Sequence, residues 1–158
     1  MTNESEVNNH YTHGTLLEEI TSGIEKLGKN IDNITVEDLG SVDEFHIGGR
    51  IATRDFLNQL KFSENYHVLD IGCGLGGAAR YVAQTFGSAV TGIDLTEEYI
   101  RTGNILSEWV NLNNKVTLNY GNALALPYGN EAFDGGYMMH VAMNVEDKSK
   151  LFSEIYRV

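Results

Sequence analysis

Apolar residues recur in two different rhythms along the chain, and the change of rhythm divides it in two. In the first part, apolar side chains at every third or fourth position predict amphipathic helices over residues 16–27 and about 50–60. Gly28 follows the first helix as a stop signal, and residues 29–49 contain mainly turn formers. We therefore expect residues 1–62 to form an N-terminal helical cap.

After the cap, short apolar runs alternate with helical patterns. The predicted elements are, in order, strand 66–71, helix 78–86, strand 89–94, helix 97–110, strand 116–120, strand 133–139 and a last helix carrying apolar residues from 151 to 156. Such alternation implies a parallel sheet with right-handed crossovers. The prediction for residues 63–158 is an α/β core with an incomplete parallel sheet, strand order 3-2-1-4, flanked by helices.

The first predicted strand runs directly into a glycine-rich segment, Asp70-Ile71-Gly72-Cys73-Gly74-Leu75-Gly76-Gly77. Glycines let the backbone turn sharply and lie against a ligand, and the following helix points free N–H groups to the same place. The spacing fits two cofactor patterns. Gly72, Gly74 and Gly77 match the dinucleotide pattern G-x-G-x-x-G, whereas Asp70, Gly72, Gly74 and Gly76 match the D-x-G-x-G-x-G of S-adenosylmethionine (SAM) methyltransferases.

Asp70 favours SAM over a dinucleotide. A carboxylate at the end of the first strand repels a pyrophosphate but attracts the ammonium of a methionyl group. Asp94 ends the second strand, where a carboxylate can accept hydrogen bonds from both ribose hydroxyls of either cofactor. SAM is therefore the predicted cofactor, and a nicotinamide-dependent oxidoreductase remains a weaker alternative.

Charge and composition exclude several classes of partner. Twenty-two acidic and eleven basic residues give a net charge of −11, which opposes attraction to nucleic acid and to anionic membrane surfaces. The chain has no apolar run long enough to span a bilayer and no basic, apolar leader, so we predict a cytoplasmic protein. Cys73 is the only cysteine, and the scattered histidines indicate no metal site.

Four motifs together resemble class I SAM-dependent methyltransferases, and the resemblance extends from about residue 10 to the last residue. The motifs are Leu69 to Gly77, Gly92 to Thr96, Gly121 to Tyr128 and Ala132 to Asp134. More narrowly, residues 42–50 and 139–148 resemble the sarcosine and dimethylglycine N-methyltransferase-like group. The resemblance implies a Rossmann-like fold and methyl transfer to a small molecule, an amine such as sarcosine or dimethylglycine. C-methylation of a quinone or sterol is the alternative within this class.

The resemblance also implies roles for individual residues. Asp70 and the backbone of Gly72, Gly74 and Gly76 would hold the methionyl part, and Asp94 would take the ribose beside Leu95. The remaining cofactor-binding positions are Cys73, tucked behind the cofactor, Asn122 and Ala123, beside the adenine, and Met139. The family more often has an aspartate in place of Asn122. An asparagine carbonyl accepts the adenine amino group without charge assistance, at a cost of about 1 kcal/mol.

Two further residues are candidates for the chemistry. An amine acceptor must arrive neutral or lose its proton in the site, which makes His140 a candidate proton acceptor. Its alternative role is that of a hydrogen-bonded histidine at a strand end. Tyr11, as the resemblance suggests, would fold over the cofactor as a lid; its alternative is a packing or surface aromatic. His46, in the cap, is expected to be a structural histidine.

The sequence ends at Val158, around the helix that follows the fourth strand. The family normally continues with a glycine-containing turn and three further strands, so the outer side of the fourth strand would be unpaired. We expect either a truncated chain or a partner, including a second copy, that covers this edge. The ending also keeps open a different function, that of a cofactor-binding fragment or interaction module without catalysis.

Overall fold

The computed structural model describes residues 15–158 as a parallel sheet with helices on both faces. The elements are α1 (Leu16–Lys26), α2 (Val36–Asp43), α3 (Gly49–Leu57), β1 (His67–Ile71), α4 (Gly77–Phe86), β2 (Ala89–Asp94), α5 (Glu97–Trp109), β3 (Val116–Tyr120), β4 (Gly135–Met138) and α6 (Lys148–Arg157). Short 3-10 turns lie at Ile31–Asn33 and Ala142–Asn144. No helix in this described part combines the length and apolar character needed to cross a membrane.

The strands lie in the order β3-β2-β1-β4, all parallel, which confirms the predicted topology. Asp70 pairs with Gly92 on one side and with Tyr137 on the other, and Asp94 pairs with Tyr120. The carboxyl ends of the four strands therefore meet at one edge of the sheet, where ligands bind in folds of this kind.

Alternate residues of β1 face two separate cores, as expected for a strand covered on both sides. Val68 packs with apolar residues of α4 and with Ile100 of α5. Leu69 and Ile71 point the other way and pack with Val158, at the end of α6. The near-continuous apolar runs of the strands thus correspond to burial on both faces.

The structure contains a cap helix that the sequence analysis did not predict. The turn formers in residues 29–49 predict an irregular segment, but α2 lies within them. Thr35 and Asp38 start this helix with reciprocal bonds, since each side chain accepts from the other residue's backbone N–H. Gly40 and Ser41 lower its helix propensity and concealed the pattern.

Two boundaries also differ from prediction. The strand expected over 133–139 is confined to β4, because the Phe133 N–H donates to Val158 at the end of α6. The second cap helix ends at Leu57 rather than near residue 60.

Arg80 joins the cap to the glycine-rich segment. Its side chain has no exposed surface, and its Nη2 donates to Asp43 Oδ2 at 2.8 Å and to the Leu75 carbonyl at 2.6 Å. Its Nη1 donates to the Gly103 carbonyl at 2.9 Å and to Ser107 Oγ at 3.0 Å. One guanidinium therefore connects α2, the segment after β1, and α5.

We expect Arg80→Met to lower the free energy of unfolding by about 3–5 kcal/mol, because Asp43 is left buried without its closest cation. Urea unfolding of the full chain measures this change. Arg54→Met is the matched control, since Arg54 pairs with Asp55 where the two side chains are 55% and 64% exposed. That variant should lose no more than about 0.5–1 kcal/mol, and equal unfolding midpoints for the two variants would contradict the prediction.

Candidate functional site

Loops that follow the four strands converge at the carboxyl edge of the sheet. The glycine-rich loop, defined here as residues 72–76, is bonded to β2 through the N–H groups of Gly72 and Cys73, both on the Ile93 carbonyl. The loop after β3 is bonded to β2 as well, since the Gly121 N–H donates to the Asp94 carbonyl at 2.9 Å. These contacts hold both loops against the end of β2.

The three glycines of the loop serve two different purposes. Gly72, Gly74 and Gly76 have φ of 71°, 54° and 79°, a region that glycine occupies without strain. A β-carbon on Gly72 would lie 2.2 Å from Val141 Cγ2, and one on Gly76 would lie 2.7 Å from Leu118 Cδ1. A β-carbon on Gly74 would meet no atom within 4 Å. Gly72 and Gly76 thus permit close packing of the protein on itself, whereas Gly74 lines open space.

Asp94 holds the glycine-rich loop in place. Its Oδ2 accepts a hydrogen bond from the Gly74 N–H at 3.0 Å, and its Oδ1 accepts from the Thr96 N–H at 2.9 Å. A carboxylate oxygen can accept more than one hydrogen bond, so Asp94 retains acceptor capacity for a ligand. The side chain is half-buried beside the open space at Gly74.

Asp70 is buried without a full set of partners. It is 3% exposed, and its Oδ2 has no hydrogen bond within residues 15–158. Burial raises the pKa of Asp70 to about 7; the nearby Tyr137 hydroxyl opposes this rise and the Asp94 charge adds to it. The Tyr137 hydroxyl is also buried, and its position relative to the Asp70 carboxylate does not allow a hydrogen bond. An unpaired buried carboxylate is costly, and a cationic ligand would relieve that cost.

His140 lies just beyond β4 in an unusual backbone conformation. Its φ is 56°, in the left-handed region that side-chain-bearing residues seldom adopt. The next residue, Val141, packs against Gly72, which places His140 beside the glycine-rich loop. The His140 ring is exposed and has no hydrogen bond to another residue in the described part of the chain. The predicted hydrogen-bonded alternative for His140 therefore has no support within 15–158.

His46 reaches the same place from the cap. Its ring stacks on that of His140, with centroids 5.2 Å apart and an interplanar angle of 10°. Its Nε2 lies 2.9 Å from Thr53 Oγ1, whose hydroxyl donates to Glu44 Oε2 at 2.9 Å. His46 is hydrogen-bonded, as expected of a structural histidine, but the sequence analysis did not foresee its contact with His140.

The other predicted site residues occupy the same edge with different degrees of exposure. Cys73 is buried against Gly92, and burial raises the pKa of its thiol well above the ordinary value, so the structure gives no sign of a reactive thiol. Asn122 Oδ1 accepts from the Leu124 N–H at 2.8 Å. The half-buried residues are Leu95, Asn122, Ala123 and Met139. Tyr11 lies outside the described residues.

Three supporting residues, Arg80, Tyr137 and Val141, belong to no motif that predicts their contacts. A charged residue between Ala79 and Tyr81, in an otherwise apolar helix face, was the available signal for Arg80. Tyr137 and Val141 carried no such signal, because each looks like an ordinary apolar position. Within residues 15–158, no group of three histidine, cysteine or acidic residues lies close enough together to hold a metal ion.

The chain resembles known methyltransferases in sequence. Residues 69–158 match the family model described as methyltransferase domain. An O-methyltransferase from Pyrenophora dematioidea is 33% identical over 106 residues, which are 67% of this chain and 40% of that protein. The phosphoethanolamine N-methyltransferase of Plasmodium falciparum is 33% identical over 114 residues, 70% of this chain and 41% of that protein. The chain thus spans less than half the length of these curated relatives.

Solved structures show the same likeness. A geranyl diphosphate C-methyltransferase from Streptomyces coelicolor, crystallised with Mg²⁺, a geranyl-S-thiolodiphosphate and S-adenosyl-L-homocysteine, superposes with a TM-score of 0.63 and 28% identity. The match covers 67% of this chain and 38% of that one. A candidate sarcosine dimethylglycine methyltransferase from Galdieria sulphuraria gives a TM-score of 0.68 over 90% of this chain and 55% of that one. At 20% identity, it shows the shared fold alone.

The sequence match and the folded structure agree on the part of the chain that carries the site. The matched segment begins on β1 and runs to the last residue. It therefore includes every loop at the carboxyl edge of the sheet and covers more than half of the chain. The protein belongs to the methyltransferase domain family.

Proposed function

We propose that this protein binds SAM and transfers its methyl group to a small molecule, and that the acceptor is an amine. The observation that carries the proposal is the unpaired oxygen of Asp70, buried at the end of β1 beside the glycine-rich loop. This oxygen suits the ammonium of an amino-acid-bearing cofactor. Membership of the methyltransferase domain family supports the same conclusion.

The residues around the loop fit the parts of SAM. Asp70 would hold the methionyl ammonium, and the remaining acceptor capacity of Asp94 suits the ribose hydroxyls. The open space at Gly74 lets the cofactor approach the backbone, because no β-carbon or neighbouring side chain fills it. A pyrophosphate would instead meet the Asp70 carboxylate, which disfavours the dinucleotide alternative.

His140 is the residue best placed to take a proton from an amine acceptor. When bound, SAM supplies a methyl group on a positively charged sulfur, so the protein has mainly to orient the acceptor and exclude water. An amine nucleophile must be unprotonated, and the ring of His140 is exposed beside the loop without a hydrogen bond in the described chain. The sarcosine-type motifs at 42–50 and 139–148 support an amine rather than a hydroxyl or carbon acceptor.

Calorimetry with S-adenosylhomocysteine and, separately, NADH tests the cofactor. We expect heat of binding with S-adenosylhomocysteine only. Asp94→Asn should weaken that binding by about 1.5–3 kcal/mol, roughly 10- to 150-fold, because the charged acceptor is lost. Binding of NADH alone would overturn the proposal.

Asp134→Asn is the matched control for this substitution. Its carboxylate also accepts a backbone N–H, that of His67 at 2.7 Å, but at the opposite edge of the sheet. We expect the affinity for S-adenosylhomocysteine to stay unchanged in this variant. Equal weakening in both variants would show general destabilisation rather than a ligand contact at Asp94.

Asp70→Asn should weaken cofactor binding and yet stabilise the free protein at neutral pH. Because the folded pKa of Asp70 is raised to about 7, the native carboxyl keeps a proton that the unfolded chain releases near pH 4. The contribution of Asp70 to the wild-type free energy of unfolding therefore decreases as the pH rises from about 4 to about 7. The variant should gain on the order of 2–4 kcal/mol over wild type between about pH 5.5 and about pH 8, measured by urea unfolding. A difference independent of pH would contradict this account.

His140→Asn should abolish most turnover without affecting the cofactor. Asparagine tolerates the left-handed backbone at this position but cannot accept a proton at neutral pH. We expect kcat with the amine to fall about 100-fold or more, with unchanged affinity for S-adenosylhomocysteine. The acceptors to assay are sarcosine, dimethylglycine, glycine, phosphoethanolamine and a quinone. Transfer to the quinone alone would contradict the amine assignment, and undiminished kcat would contradict the role of His140.

A further inference from the structure

His140 lacks the contacts that usually fix a catalytic side chain. It follows β4 with a left-handed φ of 56°, its ring is exposed, and it has no hydrogen bond to another residue within 15–158. The terminal torsion of a histidine ring is broad, so such a ring samples many orientations unless something packs on it. The contact available to it is the nearly parallel ring of His46, 5.2 Å away between centroids.

His46 itself is fixed by a hydrogen bond through its Nε2. Thr53 gives its single hydroxyl hydrogen to Glu44 Oε2, so Thr53 Oγ1 can only accept from His46 Nε2–H. The other nitrogen, Nδ1, lies 3.3 Å from the Ile47 carbonyl oxygen, and these two atoms form no hydrogen bond because both are acceptors in this tautomer. Because Thr53 holds Nε2 and is itself bonded to Glu44, the His46 ring is suited to keep a neighbouring ring in place.

The hydrogen bonds of His46 lead into buried charges. Glu44 is 1% exposed at its side chain, and its Oε1 lies 2.9 Å from Arg50 Nη1. Arg50 in turn donates to the Val36 carbonyl at 2.9 Å and lies over the ring of Tyr81. Burial raises the pKa of Glu44, and the nearby Arg50 charge opposes the rise. The His46 ring beside His140 is therefore connected, through Glu44 and Arg50, to packed residues of α2 and α4.

We infer that His46 is a positioning residue for methyl transfer, whose ring, fixed through Thr53 and Glu44, holds the His140 ring in the orientation that accepts the proton. This inference rests on the proposed role of His140. It assigns to the cap segment 44–46 a part in the reaction, in addition to packing. Orientation of a reacting group is worth a substantial part of a rate enhancement, so a freely rotating His140 would be a poorer base.

The variants His46→Ala and His46→Phe test the inference in the full chain. We expect His46→Ala to lower kcat for the amine about tenfold, while KM and the affinity for S-adenosylhomocysteine stay within about twofold. His46→Phe keeps a flat ring for stacking and should restore kcat to within about threefold of wild type. Unchanged kcat in His46→Ala, or equal loss in both variants, would overturn the inference.

His67→Ala is the matched control, because His67 makes similar contacts at the opposite edge of the sheet. Its Nε2 lies 2.8 Å from Thr91 Oγ1, and its ring lies 4.5 Å from that of Phe133. We expect its kcat to equal that of wild type. A loss as large as in His46→Ala would attribute the effect to stability and overturn the positioning role.

Proton NMR of the His140 ring separates this inference from the proposed function. A stacked aromatic ring shields the protons above it, so the His140 ring signals should move downfield in His46→Ala and stay near wild type in His46→Phe. This pattern supports the positioning contact whether or not the chain turns over. Failure of wild type to methylate any amine would overturn the proposed function, and with it the part of His46 in the reaction, while leaving the stacking contact to the NMR test. Unmoved His140 signals in His46→Ala would overturn the positioning role even in an active enzyme.

Discussion

The buried ion pair between Arg80 and Asp43 is the constraint on which the rest of the site depends. A guanidinium without exposed surface is tolerated only when charged and polar partners surround it, and Arg80 takes those partners from α2, the loop after β1, and α5. The cap therefore cannot shift relative to the glycine-rich loop without breaking this set of bonds. The residue after Asp43, Glu44, begins the chain of contacts to His46 and His140. One ion pair thereby fixes both the glycine-rich loop and the His46 ring on which His140 stacks.

Sequence alone predicted the parts of the fold that follow from local rules. Parallel strands place their carboxyl ends together, so the convergence of Asp70, Asp94 and the residues after β4 could be predicted from strand order. The glycine spacing likewise predicted the loop, although not which glycine packs on the protein and which lines open space. Helix α2 escaped detection because Gly40 and Ser41 weaken its propensity, while the cap at Thr35 and tertiary packing stabilise it.

The unpredicted features are contacts between segments distant in sequence. Arg80 meets Asp43, and His46 meets His140, only because the cap folds back onto the end of the sheet. The periodicity of apolar residues shows which face of an element is buried. It does not show which residue of another element lies opposite, so these pairings could not be predicted. Asp70 and Tyr137 illustrate the same limit. They are buried side by side because of the register between β1 and β4, and the sequence does not reveal that register.

The contact between Gly72 and Val141 has a mechanical consequence. At position 72 there is no room even for a methyl group, because the side chain of residue 141 already fills the space above the backbone. The glycine-rich loop and the segment that carries His140 therefore contact each other directly. Because no element lies between them, Val141 could move towards Gly72 only if the backbone of the loop moved with it.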